Sequence, residues 1–468
     1  MKRSLKDIKP TVTSHEVGLK RVLLAANESG CSLTQIAVTE LKAGEIAAAH
    51  IHPDMQEAFF VMEGDLDVTL DEQVTHCHKD DFVYVPSCTS HELKAITDVK
   101  VMTLGCVVEA QRTRLYPMLL EPNLHTVVWG GDRLAQWKGM KPQDGIGESW
   151  EVSAVESSPS VVANGTWAGY SLVDVISQMP EEILGKKVAH QYHNKLPLLV
   201  KFIDAKKDLS IQVHPDDRMA QREHGKFGKT EMWYVISAKP GSCLYAGFKQ
   251  EITPEEYKQR IADGTITQVL ARHEVKPGDV FYIPAGRIHA ICGGILLAEV
   301  QQSSDVTYRI FDYNRPGIDG KPRELHTDLA AKALDFHVDD EYRTIYRESG
   351  NRAVSVIDSP FFNVRVTDIE PANALGMGKA SGQFHRNLIK YDSFVISMCI
   401  QGDCKIKIRS TGDEITLREG FSCLIPAAIA DYDVIPLHGK SKILDAFIDN
   451  RSLTFNKALN RFFHLSNK

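Results

Sequence analysis

Three segments of the chain run alike: DDFVYVPSCTSH at Asp80–His91, GDVFYIPAGRIH at Gly278–His289 and GFSCLIPAAIAD at Gly420–Asp431. In each, a proline follows the first residue by six positions and precedes His91, His289 or Asp431 by five. Proline cannot donate to a ladder, and Gly286 in the second copy is free to take positive φ, so the phrase reads as strand, tight turn and returning strand. Each copy has a matching strand upstream: EAFFVMEGDLDV from Glu57, EMWYVISAKPGS from Glu231 and FVISMCIQGDCKI from Phe394. Repetition of one unit predicts three related modules, and short strands rich in Val, Ile, Phe and Tyr suit double-sheet jelly rolls. The expected fold is mainly β, three jelly-roll barrels with a few accessory helices.

A length of 468 residues exceeds what one hydrophobic core supports, so two or three domains are expected. The divisions read from the repeats are 1–112, 113–345 and 346–468, with the polar stretches QRTRLYP from Gln111 and DDEYRTIYRESG from Asp339 as linkers. Hydrophobic residues at 43% and charged residues at 25% are those of a globular protein. The net charge of -7 argues against nucleic acid as partner, so an anionic substrate must be held by a few local lysines and arginines. No apolar run reaches membrane-span length and the start lacks a signal peptide, so a cytoplasmic protein is expected, with no membrane partner. Nine scattered cysteines without a Cys-x-x-Cys pair argue against disulfides and a thiolate zinc site.

Helical signals lie between the strand units. TPEEYKQRIADG has a capping box from Thr253 to Glu256, Pro254 just inside and Gly264 at the stop. YSLVDVISQMPEEILGKK at Tyr170–Lys187 and ELHTDLAAKAL at Glu324–Leu334 carry apolar residues at three- and four-residue spacing and read as amphipathic helices.

Strand residues two apart share a face, so His50 and His52 in HIHPDMQEAFFVMEG project side by side. Glu57 on the next strand and His91 after the proline turn converge on them. The spacing of Gly44, His50, His52, Glu57 and Gly64 resembles the first metal motif of the cupin family at every position. Pro86 and His91 carry the second motif, with Asp80 and Cys88 where the family has glycines. Three imidazoles and one carboxylate suit zinc, manganese, iron or nickel, so a second divalent metal of open identity is expected here in an auxiliary role. The barrel that carries it is a candidate oligomerisation module.

By the same geometry Gln212 and His214 in LSIQVHPDD share a face, Glu231 opens the next strand in GKTEMWYV, and His289 ends the turn in PAGRIHAICGG. This pattern again predicts one metal. SIQVHP, the K-x-E-M phrase at Lys229, PAG-x-x-H and SD-x-x-x-R, in that order, closely resemble the class I mannose-6-phosphate isomerases of the short bacterial form. The likeness runs from about Pro117 to the end and takes in TVVWGGDRL and GIGESWEVS. It implies Zn2+ on Gln212, His214, Glu231 and His289, an active-site arginine at Arg309, Lys229 beside it in catalysis and substrate binding, and Glu299 and Asp305 as acidic residues of the same pocket.

The implied reaction interconverts mannose 6-phosphate and fructose 6-phosphate. It moves a proton between adjacent carbons through an enediol, and its hard part is negative charge on oxygen. A divalent cation with an open position and a forked, always charged arginine meet that need. Three groups remain open as proton carriers: a metal-bound water, Glu299 and Asp305. Two other readings are a sugar-phosphate-binding cupin protein without enzymatic activity and a cupin metalloenzyme of other chemistry at the N-terminal site. In the third module Asp431 stands where the others have a histidine and Val395 where the first has Glu57. With His385 as the nearby imidazole, that barrel is expected to be a metal-free scaffold.

Overall fold

The computed structural model describes residues 2–13, 15, 17–25, 28, 33–52, 55–71, 73–87, 89–107, 115–370 and 382–449. Cys88 and most of the first linker, 111–114, lie outside the described residues. The chain divides into two compact units, Met1–Arg114 and Leu115–Lys468.

The first unit is one jelly roll. Its larger sheet runs in the order Thr11–Val12, Leu19–Ala25, Leu33–Leu41, Val99–Val107, Met55–Glu63, Phe82–Val85, and its smaller one Ile46–His50, His91–Ala95, Leu66–Leu70, Gln73–Cys77. Burial alternates strictly along Val99–Val107 and through the middle of Met55–Glu63. That is the signature of an antiparallel sheet with one face on a core. Phe59, Val61, Leu66, Val68, Val85 and Val101 fill that core.

In the second unit the strands are packed differently. Leu198–Ala205 and Ile295–Gln302, paired antiparallel at the centre of a six-stranded sheet, are buried at every residue. One face carries Val200, Phe202, Ala298 and Val300 into a core shared with Ile396, Met398 and Leu444 of the third module and with the helical insertion. The opposite face carries Ile203, Trp233, Val235 and Leu297 into the barrel interior, toward a five-stranded sheet. A continuous apolar run in LLVKFIDA therefore reports burial on both sides. Met118–Leu119, at the start of this unit, adds an edge strand to the third module by pairing with Leu424 and Cys423. The two modules are thus interlocked rather than strung on a tether. The stretch from Asp339, expected as a linker, is packed instead: the Tyr342 hydroxyl donates to the Phe248 carbonyl at 2.8 Å and that of Tyr346 to the Gly278 carbonyl at 2.7 Å. Its charges face outward while its tyrosines anchor it.

All three strand-turn-strand phrases form as expected, as Phe82–Val85 with His91–Ala95, Val280–Ile283 with His289–Ile291, and Ser422–Ile425 with Asp431–Pro436. Gly286 does take φ 89. The helix Pro254–Ala262 begins where its capping box puts it, with the Thr253 hydroxyl accepting from the Glu256 amide at 3.1 Å. Glu256 then turns away to bind Arg260. The 170–187 segment departs from a single helix: it forms Leu172–Gln178, Pro180–Leu184 and Lys186–Gln191. Pro180 has no amide to continue the first helix, and Gly185 at φ 92 redirects the chain before the third.

The apolar interior of the third module, with Val395, Ile406, Ile425 and Phe447, also holds a buried ion pair. Arg386 Nε donates to Asp445 Oδ2 at 2.8 Å, while Ser397 Oγ and Tyr432 Oη donate to Asp445 Oδ1 at 2.5 and 3.3 Å. His385 Nε2 lies 2.6 Å from Asp431 Oδ1. Removing one partner of a buried pair strands the other charge, so Asp445→Ala is expected to destabilise by about 3–5 kcal/mol. A urea unfolding curve checks this, and a loss below about 1 kcal/mol would mean that Arg386 finds water instead.

Candidate active site

Three strands of the five-stranded sheet bring the donors into one row. His289 pairs with Gln212 on one side of the Ile211–Val213 strand and Arg309 pairs with Gln212 on the other. Residues directly opposite in an antiparallel ladder share a face, so His289, Gln212 and Arg309 stand side by side. His214 follows two residues after Gln212, just past the strand end. Glu231, the first residue of Glu231–Ala238, reaches across from the six-stranded sheet.

The convergence is close. Glu231 Oε2 lies 3.3 Å from His214 Nε2 and Glu231 Oε1 lies 3.4 Å from His289 Nε2. Gln212 Nε2 is 3.2 Å from His289 Nε2. His214 Nδ1 donates to the Val306 carbonyl at 3.0 Å and His289 Nδ1 to the Arg287 carbonyl at 2.8 Å. These bonds place each proton on Nδ1 and leave the Nε2 lone pairs aimed at the carboxylate. Lone pairs facing lone pairs repel unless a cation lies between them. Accordingly His214 Nε2 and both Glu231 oxygens are buried without a hydrogen bond. The donor atoms of His214, Glu231 and His289 all fall within 4.8 Å of one another. These residues fit a zinc ion, and turning the Gln212 amide over would present Oε1 to it.

Electrostatics keep the set in ligand form. Burial, then the Lys229 ammonium, pushes His214 down to about 3, and burial likewise lowers His289. Burial alone would raise Glu231, but Lys229, with Nζ at 3.2 Å, and the two imidazoles hold it well below the usual carboxylate range. Glu299 goes the other way: burial, then the Glu231 charge, raises it. Two carboxylates of one pocket are thereby driven apart.

Glu299 belongs to a charge row that the sequence reading did not single out. Lys201 Nζ lies 3.3 Å from Glu148 Oε2 and 3.5 Å from Glu299 Oε1, and sits 4.8 Å from the centre of the Trp150 ring. Trp233 Nε1 donates to Glu299 Oε2 at 3.0 Å, and its ring packs against His289. The available signal was a lysine inside the apolar run LLVKFIDA, which needs a buried partner.

Arg309 comes to the row as expected. Its Nη1 donates to the Glu324 carbonyl at 2.8 Å, its Nε is buried without a partner, and burial lowers its pKa. Asp305 does not join the donors: it is exposed and paired with Lys226 at 2.6 Å. Its place after the turn at Ser303–Ser304 faces it outward, whereas Val306 turns in and lends its carbonyl to His214.

The N-terminal site forms as a second, more open cluster. Donor atoms of His50, His52, Glu57 and His91 lie within 4.8 Å of one another. His50 closes the Ile46–His50 strand and pairs with His91, but His52 lies past the strand end, so the shared face does not come from strand alternation. Glu57 Oε2 is 3.2 Å from His91 Nε2 and 3.7 Å from His52 Nε2. His50 Nδ1 donates to the Ala48 carbonyl and His91 Nδ1 to that of Thr89. Burial pulls His91 down, yet Glu57 outweighs it and raises the group. The His52 side chain is 31% exposed where those of His214 and His289 are 1%, so only the second centre is closed off from water.

Two jelly rolls with histidine and glutamate donors at matching places, and a third whose interior holds an ion pair, define a multi-barrel cupin metalloprotein. A cupin domain profile matches residues 37–108, and a profile described as phosphomannose isomerase type I, catalytic domain, matches residues 118–236. A probable mannose-6-phosphate isomerase of Bacillus subtilis is 36% identical over 323 residues, spanning 68% of this chain and 96% of that protein. The mannose-6-phosphate isomerase of Streptococcus mutans is 37% identical over 250 residues, 53% of this chain and 77% of its own. The crystal structure of mannose 6-phosphate isomerase from Bacillus subtilis superposes with a TM-score of 0.62 at 32% identity, covering 71% of this chain and 99% of that one. The chain belongs to the type I phosphomannose isomerase family and carries an added cupin unit ahead of it.

Proposed function

We propose that the second module isomerises mannose 6-phosphate and fructose 6-phosphate, with a zinc ion held by Gln212, His214, Glu231 and His289. The observation that carries this is the convergence of four ligand side chains, with His214 Nε2 and both Glu231 oxygens buried without a hydrogen bond, beside an arginine that makes no ion pair among the described residues. A bound Zn2+ would polarise the substrate oxygens and stabilise the enediolate charge. Arg309 and Lys229 grip the phosphate or the developing oxyanion; no Gly-rich phosphate loop is needed. Among the open proton carriers, Glu299 is the best supported, because its carboxyl is buried and raised while Asp305 is exposed and paired. It takes the proton from one carbon and returns it to the neighbour.

A coupled assay on the full chain, with metal content measured, tests the reading; turnover at background with zinc loaded would sink it. Glu299→Gln is expected to cost about a hundredfold in kcat with KM little changed. The sign of the pH dependence follows from the raised carboxyl. Glu299 must be ionised to accept a proton, so the rate rises with pH through its elevated pKa, and that acidic limb should vanish in the Gln variant.

The division into 1–112, 113–345 and 346–468 read from the repeats serves this reading, with the third barrel as scaffold. The N-terminal unit holds a second divalent metal in an auxiliary role. It also exposes Phe82 at 61% and Tyr84 at 49% on its edge strand, which supports self-association through this unit. Light scattering on Phe82→Glu against the wild type decides that point. The phosphorylated substrate, an intracellular metabolite, supports a cytoplasmic location.

A further inference from the structure

Two cysteines that neither metal centre uses face each other across the five-stranded sheet. Cys243 opens the strand Cys243–Phe248, and Cys292 follows the strand His289–Ile291, its neighbour in the ladder. Leu244 pairs with Ile291, so Cys243 and Cys292 stand directly opposite one another, and the Cys292 amide donates to the Cys243 carbonyl at 3.2 Å. Opposite residues of a hydrogen-bonded antiparallel pair have Cα atoms about 5.5 Å apart, inside the span of about 4.4–6.8 Å that a disulfide bridges. The two Sγ atoms already lie 3.3 Å apart in hydrogen-bond contact.

Their surroundings set this pair apart from the thiols of the third module. Cys399, Cys404 and Cys423 are 0% exposed in its core, whereas Cys243 and Cys292 each keep 7% of their surface open. Gly293 and Gly294, next in the chain, line an open cavity of about 620 Å³ with Lys206, Lys207, Lys239 and Arg315, so a small polar oxidant can reach this end of the sheet. Hydrogen bonding with Cys292 outweighs burial and, helped by the Arg272 charge, brings the Cys243 thiol down to about 7, while the same bond and burial push Cys292 up. Cys423, by contrast, is pushed well up by burial. The thiolate is the form that attacks, so Cys243 is the nucleophile and Cys292 the resolving thiol.

We propose that Cys243 and Cys292 form a peroxide-responsive dithiol whose oxidation staples the strand bearing His289 to its neighbour. The Cys243 thiolate attacks one oxygen of hydrogen peroxide. The O–O bond breaks, leaving a sulfenic acid on Cys243 and a hydroxide that takes up a proton as water. The Cys292 sulfur then attacks the Cys243 sulfur, the S–O bond breaks, and the Cys292 proton leaves with the hydroxide as a second water. Two thiols are oxidised to one disulfide and one peroxide is reduced to two waters. Thiol reductants reverse the bridge by exchange, as they do for the transient disulfides of reducing compartments.

The test treats the reduced, metal-loaded full chain with hydrogen peroxide, blocks the remaining thiols by alkylation and maps the digest by mass spectrometry. The expected product is a cross-linked peptide pair joining Cys243 to Cys292, lighter by two hydrogens than its reduced parts and released by dithiothreitol, with the Cys399 and Cys404 peptides still reduced. In Cys292→Ser, dimedone is expected to trap a sulfenic acid on Cys243. In Cys243→Ser, Cys292 is expected to remain a thiol at the same peroxide dose. A wild type that keeps both thiols, or a sulfenic acid trapped on Cys292 ahead of Cys243, would overturn the proposal. These readouts need no turnover, so either result leaves the isomerase reading standing on its own assay.

Discussion

Arg309→Ala is expected to lower kcat/KM for mannose 6-phosphate by about 10³-fold while the protein folds and retains its zinc. The guanidinium is half-buried, its Nη1 donates to the Glu324 carbonyl, and its Nε is buried without a hydrogen-bond partner among the described residues. Among the described residues it makes no ion pair, whereas Arg315 and Arg323 share Asp312 and Arg386 has Asp445. A buried cation without a counter-ion is costly unless an anion arrives, and the row from His289 through Gln212 to Arg309 places that anion beside the metal. Because Arg309 anchors nothing by charge, its loss should leave the melting temperature within a degree or two. Arg309→Lys should restore little, since a point charge cannot form the paired bonds of the fork. Near-normal turnover in the Ala variant would remove Arg309 from the mechanism.

His289→Ala should bring turnover down by a similar or larger factor, by emptying the principal site. Loss of several kcal/mol of charge stabilisation corresponds to about 10³-fold or more in rate. One metal per chain should then remain, in the N-terminal unit. His91→Ala should give the reverse pattern, one metal retained in the second module with turnover preserved. The comparison separates the two centres in a way that chelation of the whole protein cannot. Equal losses in both variants would mean that the N-terminal centre takes part in the reaction.

The two centres share a ligand pattern, and their difference lies in what surrounds them. In the second module His214, Glu231 and His289 are buried beside strands buried on both faces, so Glu231 is held ionised by Lys229 and Glu299 is pushed toward its neutral form. The first unit has one buried face per sheet, a partly exposed His52 and, among the described residues, no lysine paired with its carboxylate. Charge stabilisation is strong in the first setting and weak in the second.

Much of the architecture was written locally. A proline turn between two apolar runs acts within a dozen residues, so the three barrel phrases, the ligand order and the Thr253 cap could be read directly from residue types. Pro180 and Gly185 were equally visible in the 170–187 stretch, but apolar periodicity there masked two breaks. What the tertiary structure alone decided were the partnerships between distant strands: Lys201 set between Glu148 and Glu299, Trp233 hydrogen-bonded 66 residues away, Asp305 turned outward to Lys226, and His15 laid against His50. The physical reason is register. A residue's own type and spacing determine which face it occupies, whereas its charge state and its partner depend on which strand the fold sets opposite, and no local pattern encodes that neighbour.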